Sequence, residues 1–189
     1  MGEFHEPKPR ISPVSIPTET EAELLTKTTL SVGVEPSNLF RTLVRHPELM
    51  KRTNVYAGLF LTKGVLEPRD RELAILRVAF KTECVYEYGQ HVPLGLAAGL
   101  AREEIENIGR SPVDNLWNER DACKLRFADA LIDGFEIPVD IWNPIEGILN
   151  SEQIMELIML VGFYRSLAGL MNSVGIQPDL GMPTEFPRH

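Results

Sequence analysis

Between Arg69 and Leu94 the chain sets an acid at Glu72, a thiol at Cys84, a second acid at Glu87, tyrosines at Tyr86 and Tyr88, and an imidazole at His91. Cys84, Glu87 and His91 stand at i, i+3 and i+7, which on an α-helix stacks three side chains along one face. Groups of these types can move protons, and the thiol adds the option of redox chemistry. Thr82 reads as an N-cap, starting a helix at Glu83 and placing Cys84 in its first turn. There the positive end of the helix dipole favours thiolate, while Glu83 and Glu87 oppose it. The plainer role for Cys84 is that of a small buried hydrophobe.

His91 lies two residues before Pro93, which removes the helical donor for the Gly89 carbonyl, so a local kink is expected where the imidazole points inward. It could equally be a partly buried histidine hydrogen-bonded for structure. Glu72 sits among apolar residues, where burial would raise its pKa and let it exchange protons near neutrality. Its plainer role is an ion pair with Arg69, Arg71 or Arg77. Glu87 and Tyr88 could hold His91 in one tautomer, or line a subunit contact. Cys123, in an ordinary amphipathic segment, and His46, ahead of Pro47, read as structural. His5 and His189 sit in the tails and read as inert.

The elements that must position these groups are helical. Helices are expected over about 18–31, from Pro36-Ser37-Asn38 onward, over 47–62, and from Pro68 through Phe80. The helix carrying His91 should end at Gly99. Further helices are expected over about 101–109, 119–132 and 139–149, and a last one, capped by Ser151, to about Val174. That last helix is apolar nearly all round, so it should be central. A short echo of Arg71-Glu72-Leu73-x-x-Leu76 in Met155-Glu156-Leu157-x-x-Leu160 suggests two equivalent helices packed together. Alternating strand patterns are missing, so the expected class is all-α. Prolines at 7, 9, 13 and 17 make residues 1–19 an extended arm. A single helical domain then spans 20–176, and a Pro-containing tail 177–189.

A formal charge of −8 argues against nucleic acid or an anionic membrane as the main partner, because both reward clustered Lys and Arg. Two cysteines in 189 residues are not a disulfide scaffold, and no zinc-ligand spacing occurs, so no metal is expected. The start of the chain has no apolar signal core, and no long apolar run is free of charge. A cytoplasmic location is the expectation. No Gly-rich phosphate loop follows a strand, so no cofactor is implied.

Arg71-Glu72-Leu73, then Cys84-x-x-Glu87-x-x-x-His91, Ala97-Ala98-Gly99-Leu100 and Glu103-Glu104-Ile105 resemble the carboxymuconolactone decarboxylase and alkylhydroperoxidase D-like superfamily. The central match covers about 52–108, and the segment around His46-Pro47 and the last helix, with Tyr164 and Asn172, resemble it too. The resemblance implies an all-helical fold assembled as a trimer or a multiple of trimers, with the site near subunit contacts. It also implies Glu72 as the acid, Cys84 as the first cysteine of a Cys-x-x-Cys pair and His91 as the histidine of a proton relay. Here Glu87 replaces the second cysteine, and a two-thiol peroxidase cycle needs a resolving sulfur.

The leading expectation is therefore a decarboxylase-like enzyme acting on a small carboxylated or lactone-type metabolite. His91 is its general base or acid, Glu72 its proton partner, and Glu87 and Tyr88 line the pocket. Arg77 and Arg165, by their apolar neighbourhoods, are the candidates to receive a carboxylate. The alternatives are a single-cysteine redox protein in which Cys84 forms a sulfenic acid, and a non-catalytic oligomeric scaffold.

Overall fold

A computed structural model describes residues 9–28, 35–113, 115–134 and 136–187, which are helical without a strand. The helices are α1 (Glu19–Thr26), α2 (Asn38–Leu43), α3 (Pro47–Thr62), α4 (Pro68–Lys81), α5 (Val85–Ala97), α6 (Arg102–Glu106), α7 (Glu119–Asp133), α8 (Val139–Glu146) and α9 (Ser151–Val174). The expected all-α class is what the chain adopts.

Local chemistry explains most boundaries. Thr18 and Glu21 form a reciprocal capping box on α1, with the Thr18 N–H 2.8 Å from Glu21 Oε2. This helix stops at Thr26, and the expected continuation toward Ser31 runs into 29–34, outside the described residues. His46 has a structural role: its Nδ1 accepts the Leu49 N–H at 3.3 Å and caps α3, with Pro47 preset at the first helical position. Asn150, rather than the expected Ser151, caps α9 by accepting the Gln153 N–H at 3.0 Å. Gly175, at φ 73°, ends that helix in the left-handed conformation.

The centre of the molecule is α4. Every residue from Glu72 to Phe80 is buried, and the helix packs against α5, α7 and α9 at once. The echo between α4 and α9 thus corresponds to two helices in contact. Arg77 ties α4 to α7 by a two-pronged pair with Asp129, both N···O distances 2.7 Å, and its Nη1 donates to the Ile108 and Arg110 carbonyls. Helix α9 has the length and apolarity of a membrane span, yet it serves as a core helix along one face.

The turn between α4 and α5 aims the site. Thr82 does not cap α5. Its hydroxyl donates back to the Val78 carbonyl at 2.7 Å and closes α4. Glu83 takes φ 52°, a left-handed conformation costly for a residue with a Cβ, and Cys84 becomes the N-cap of α5.

Candidate active site

Glu72 projects from α4 with no exposure to solvent and meets His91 from α5. Its Oε2 lies 2.7 Å from His91 Nδ1, and its Oε1 accepts the Arg71 Nε–H at 3.0 Å. Burial alone would raise the Glu72 pKa, but the hydrogen bonds and charges of His91 and Arg71 outweigh it and hold the carboxyl below its ordinary range. The expected rise is therefore reversed. With Glu72 ionised, Nδ1–H donates to it, and in the neutral form of the ring the lone pair lies on Nε2. The ring of Tyr164, from α9, stands edge-on to the imidazole at 5.1 Å. Burial, with Glu72 and Glu87 nearby, pushes the Tyr164 hydroxyl well up, so it stays a neutral phenol.

Glu87 lies one turn before His91 and is buried, with neither carboxyl oxygen hydrogen-bonded among the described residues. Burial raises its pKa well above the usual carboxylate value. With neither oxygen bonded to the ring, it does not orient the imidazole. Glu72 does that.

Tyr88 is also displaced from its expected place. Its hydroxyl donates to the Ile105 carbonyl at 3.3 Å, and its ring packs edge-on to Phe186 at 5.2 Å, within a core cluster to which α4, α5, α6 and α7 contribute. It supports α5 from a different side.

Cys84 is fully buried. The backbone N–H groups of Glu87 and Tyr86 donate toward its sulfur, as the helix-start position suggested, yet burial and the neighbouring Glu87 push the thiol up to about 12. Desolvation outweighs the helix dipole, so at neutral pH the sulfur is a thiol. Cys123 lies in α7 in a separate part of the core, with Arg126 Nη2 at 3.1 Å from its sulfur. It is not placed beside Cys84 as a resolving partner.

Neither expected arginine stands beside the dyad. Arg77 is consumed by Asp129 and two carbonyls. Arg165 is exposed on α9 at an apolar groove of about 740 Å³ lined by Tyr56, Leu131, Ile158, Met159 and Phe163. The cation at the dyad is Arg71, which the sequence offered only as a partner for Glu72. Tyr56, Phe163 and Tyr164 continue from the imidazole toward the groove, with ring separations of 5.0 and 5.4 Å. Among the described residues, no three His, Cys, Asp or Glu side chains cluster as metal ligands.

Residues 47–114, which hold Glu72, Cys84, Glu87 and His91, match the model of the carboxymuconolactone decarboxylase family. No curated protein matches the sequence. Among solved structures, a peroxidase-related protein from Silicibacter sp. TM1040 is 15% identical, with TM-score 0.78 over 94% of this chain and 96% of that one. An alkylhydroperoxidase D-core, peroxidase-related protein from Ralstonia eutropha JMP134 is 17% identical, with TM-score 0.76 over 90% and 93%. The debrominase Bmp8, in a Cys-to-Ala variant complexed with 2,3,4-tribromopyrrole, is 10% identical, with TM-score 0.72 over 90% and 91%. These likenesses give the fold, and the family match falls on the segment that carries the buried acid–imidazole pair. Residues 47–114 are thus similar to the carboxymuconolactone decarboxylase family, within a chain whose fold is that of alkylhydroperoxidase D-like proteins.

Proposed function

We propose that the protein is an acid–base enzyme of the decarboxylase-like type, acting in the cytoplasm on a small carboxylated or lactone-type metabolite. The observation that carries this reading is the buried Glu72–His91 pair, joined at 2.7 Å with Arg71 on the other carboxylate oxygen. Glu72 fixes the ring and stabilises the imidazolium that forms when Nε2 takes a proton. That proton comes from solvent: as the substrate carboxylate leaves as carbon dioxide, the electron pair of the broken C–C bond stays on carbon, and Nε2 delivers the proton there. Arg71, already drawn to the site, is the group best situated to attract the substrate carboxylate. Neutral Glu87 and Tyr164 add no further charge to that of the Glu72–Arg71 pair around the imidazole. The active form in this reading is a homo-oligomer, a trimer or a multiple of trimers, with small molecules rather than nucleic acid or membrane as its ligands.

His91→Gln and Glu72→Gln test the assignment on a carboxylated lactone. The first should lower kcat by about 100-fold or more. The second should lower kcat while leaving KM nearly unchanged, because it acts through the imidazole. Turnover that survives His91→Gln would sink the proposal.

A second reading, single-thiol redox chemistry, is favoured by the two backbone N–H donors at Cys84. Its high thiol pKa stands against it. Cys84→Ser separates the two: lactone turnover persists in the acid–base reading, and peroxide consumption with an added small thiol is lost in the redox one.

A further inference from the structure

After Gly175 the chain leaves the helical body and runs back across α5 as an extended segment with one turn at 180–181. Beyond Gln177, its main-chain hydrogen bonding among the described residues is confined to the Met182 N–H on the Asp179 carbonyl. Side chains hold it instead. Asp179 accepts from the Asn38 N–H at 2.8 Å, from the Tyr86 hydroxyl at 2.7 Å and from Gln90 Nε2 at 2.6 Å. Phe186 stacks on Phe80, with centroids 5.7 Å apart and an interplanar angle of 4°. Between these two anchors the Pro183 carbonyl lies so close to Gly89 that a Cβ there would come within 2.5 Å of its oxygen. Gly89 is thus the residue that lets the segment lie flat on the helix.

The same segment is linked to the surroundings of the thiol through Tyr86. Cys84 is buried in a small cluster with Tyr86, Ala168, Met171, Val174 and Ile176. Of these, the Tyr86 hydroxyl donates to Asp179 and accepts the Leu39 N–H at 3.2 Å, and Ile176, its N–H on the Met171 carbonyl, is where the segment departs from the body. Helices alone supply the remaining walls. We infer that residues 177–187 are a releasable strap latched by Asp179, and that lifting it takes from Tyr86 its carboxylate partner, lets that side chain move and uncovers Cys84 beside it while the helical body stays folded. A segment held by one carboxylate hub, the Asn38 amide on the Gln177 carbonyl and the Phe186 ring against Phe80 and Tyr88, without a backbone ladder, is of the kind that opens locally at low cost. The inference does not depend on the acid–base reading, because it concerns access to the sulfur and not turnover.

Cys123 supplies an internal control, since it is buried in another part of the core. Full-length protein is labelled with a maleimide under native conditions, and each cysteine is followed by peptide mass spectrometry. Asp179→Asn removes the charge of the latch. Gly89→Ala displaces the strap sterically while favouring the helix beneath it. In both variants Cys84 should label at least about tenfold faster than in the parent protein, with Cys123 unchanged and the thermal transition retained. Deleting 177–189 should give the largest rate. Unchanged Cys84 labelling in the deletion variant would overturn the strap. So would Cys84 and Cys123 accelerating in parallel, since that reports opening of the whole body.

Discussion

Two carboxylates one helix apart are driven in opposite directions by what surrounds them. Glu72 meets a cation and an imidazole and stays ionised, whereas Glu87 meets neither and keeps its proton. The folded Glu87 therefore holds a proton at pH values where the unfolded chain has released it. Over that window, from the ordinary carboxyl value up to the raised one, stability falls as pH rises, by at most about 1.4 kcal/mol per unit. Glu87→Gln should remove this slope and leave the variant more stable than the parent at pH 8 than at pH 5, as read by urea unfolding at the two pH values. Glu72 works the other way: its contribution is present above the unfolded carboxyl value and is lost as acid protonates it. The residues that carry this contrast were partly legible. Glu72 and His91 stood out because polar groups in dense apolar helices need a reason to be there. Arg71 did not, because an arginine beside an acid reads as an ordinary surface pair until its long side chain is seen turning inward. Tyr88, three residues before His91, is its neighbour by helical spacing, but the Ile105 carbonyl and the Phe186 ring draw its side chain into the packing of α5 instead, which spacing alone does not reveal.

At the scale of elements, the departures from sequence expectation sit at ends and turns. Nothing in Thr82-Glu83-Cys84 advertises a left-handed residue, since no glycine marks it. Thr82 also has the side chain of a good cap but uses it on the preceding helix. At α9 the cap moved by one position, from Ser151 to Asn150, because Asn150 and Gln153 satisfy each other's N–H groups reciprocally. Asn150→Ala should cost about 1 kcal/mol in chemical denaturation and leave the site chemistry unchanged. Arg77 belongs at this scale as well. The apolar neighbourhood that made it look like a carboxylate receptor is the packing of α4 on α7, and the carboxylate it receives is Asp129. Arg77→Ala should destabilise the fold by about 3 kcal/mol or more, since it strands a largely buried acid and two carbonyls. KM of whatever remains folded should not change.

Over the whole molecule, the outer faces of α3 and α9 are unusual for a chain of such acidity. Val55 and Leu59 on α3 and Met155 and Met159 on α9 are exposed, at 73%, 46%, 59% and 54%. These residues flank the groove at Tyr56 and Phe163, and the homo-oligomer proposed above would bury such a face. Met159→Lys should shift the sedimenting species toward monomer and make the melting temperature independent of protein concentration. The same face explains a partial misreading of α9. Apolarity all round predicts complete burial within one chain, whereas only part of the helix turns inward.

The burial of α4 from Glu72 to Phe80 has a consequence for how the site moves. Amides in the middle of that helix should exchange with deuterium only when the entire molecule unfolds, while those of the segment crossing α5 exchange through small openings. The acid of the dyad is thus fixed to the most protected part of the protein. The imidazole rides on a helix whose outer surface borders the least protected part. A fluctuation of α5 changes the position of the base relative to an acid that does not move, so the Glu72–His91 separation is the coordinate through which motion of the molecule reaches its chemistry.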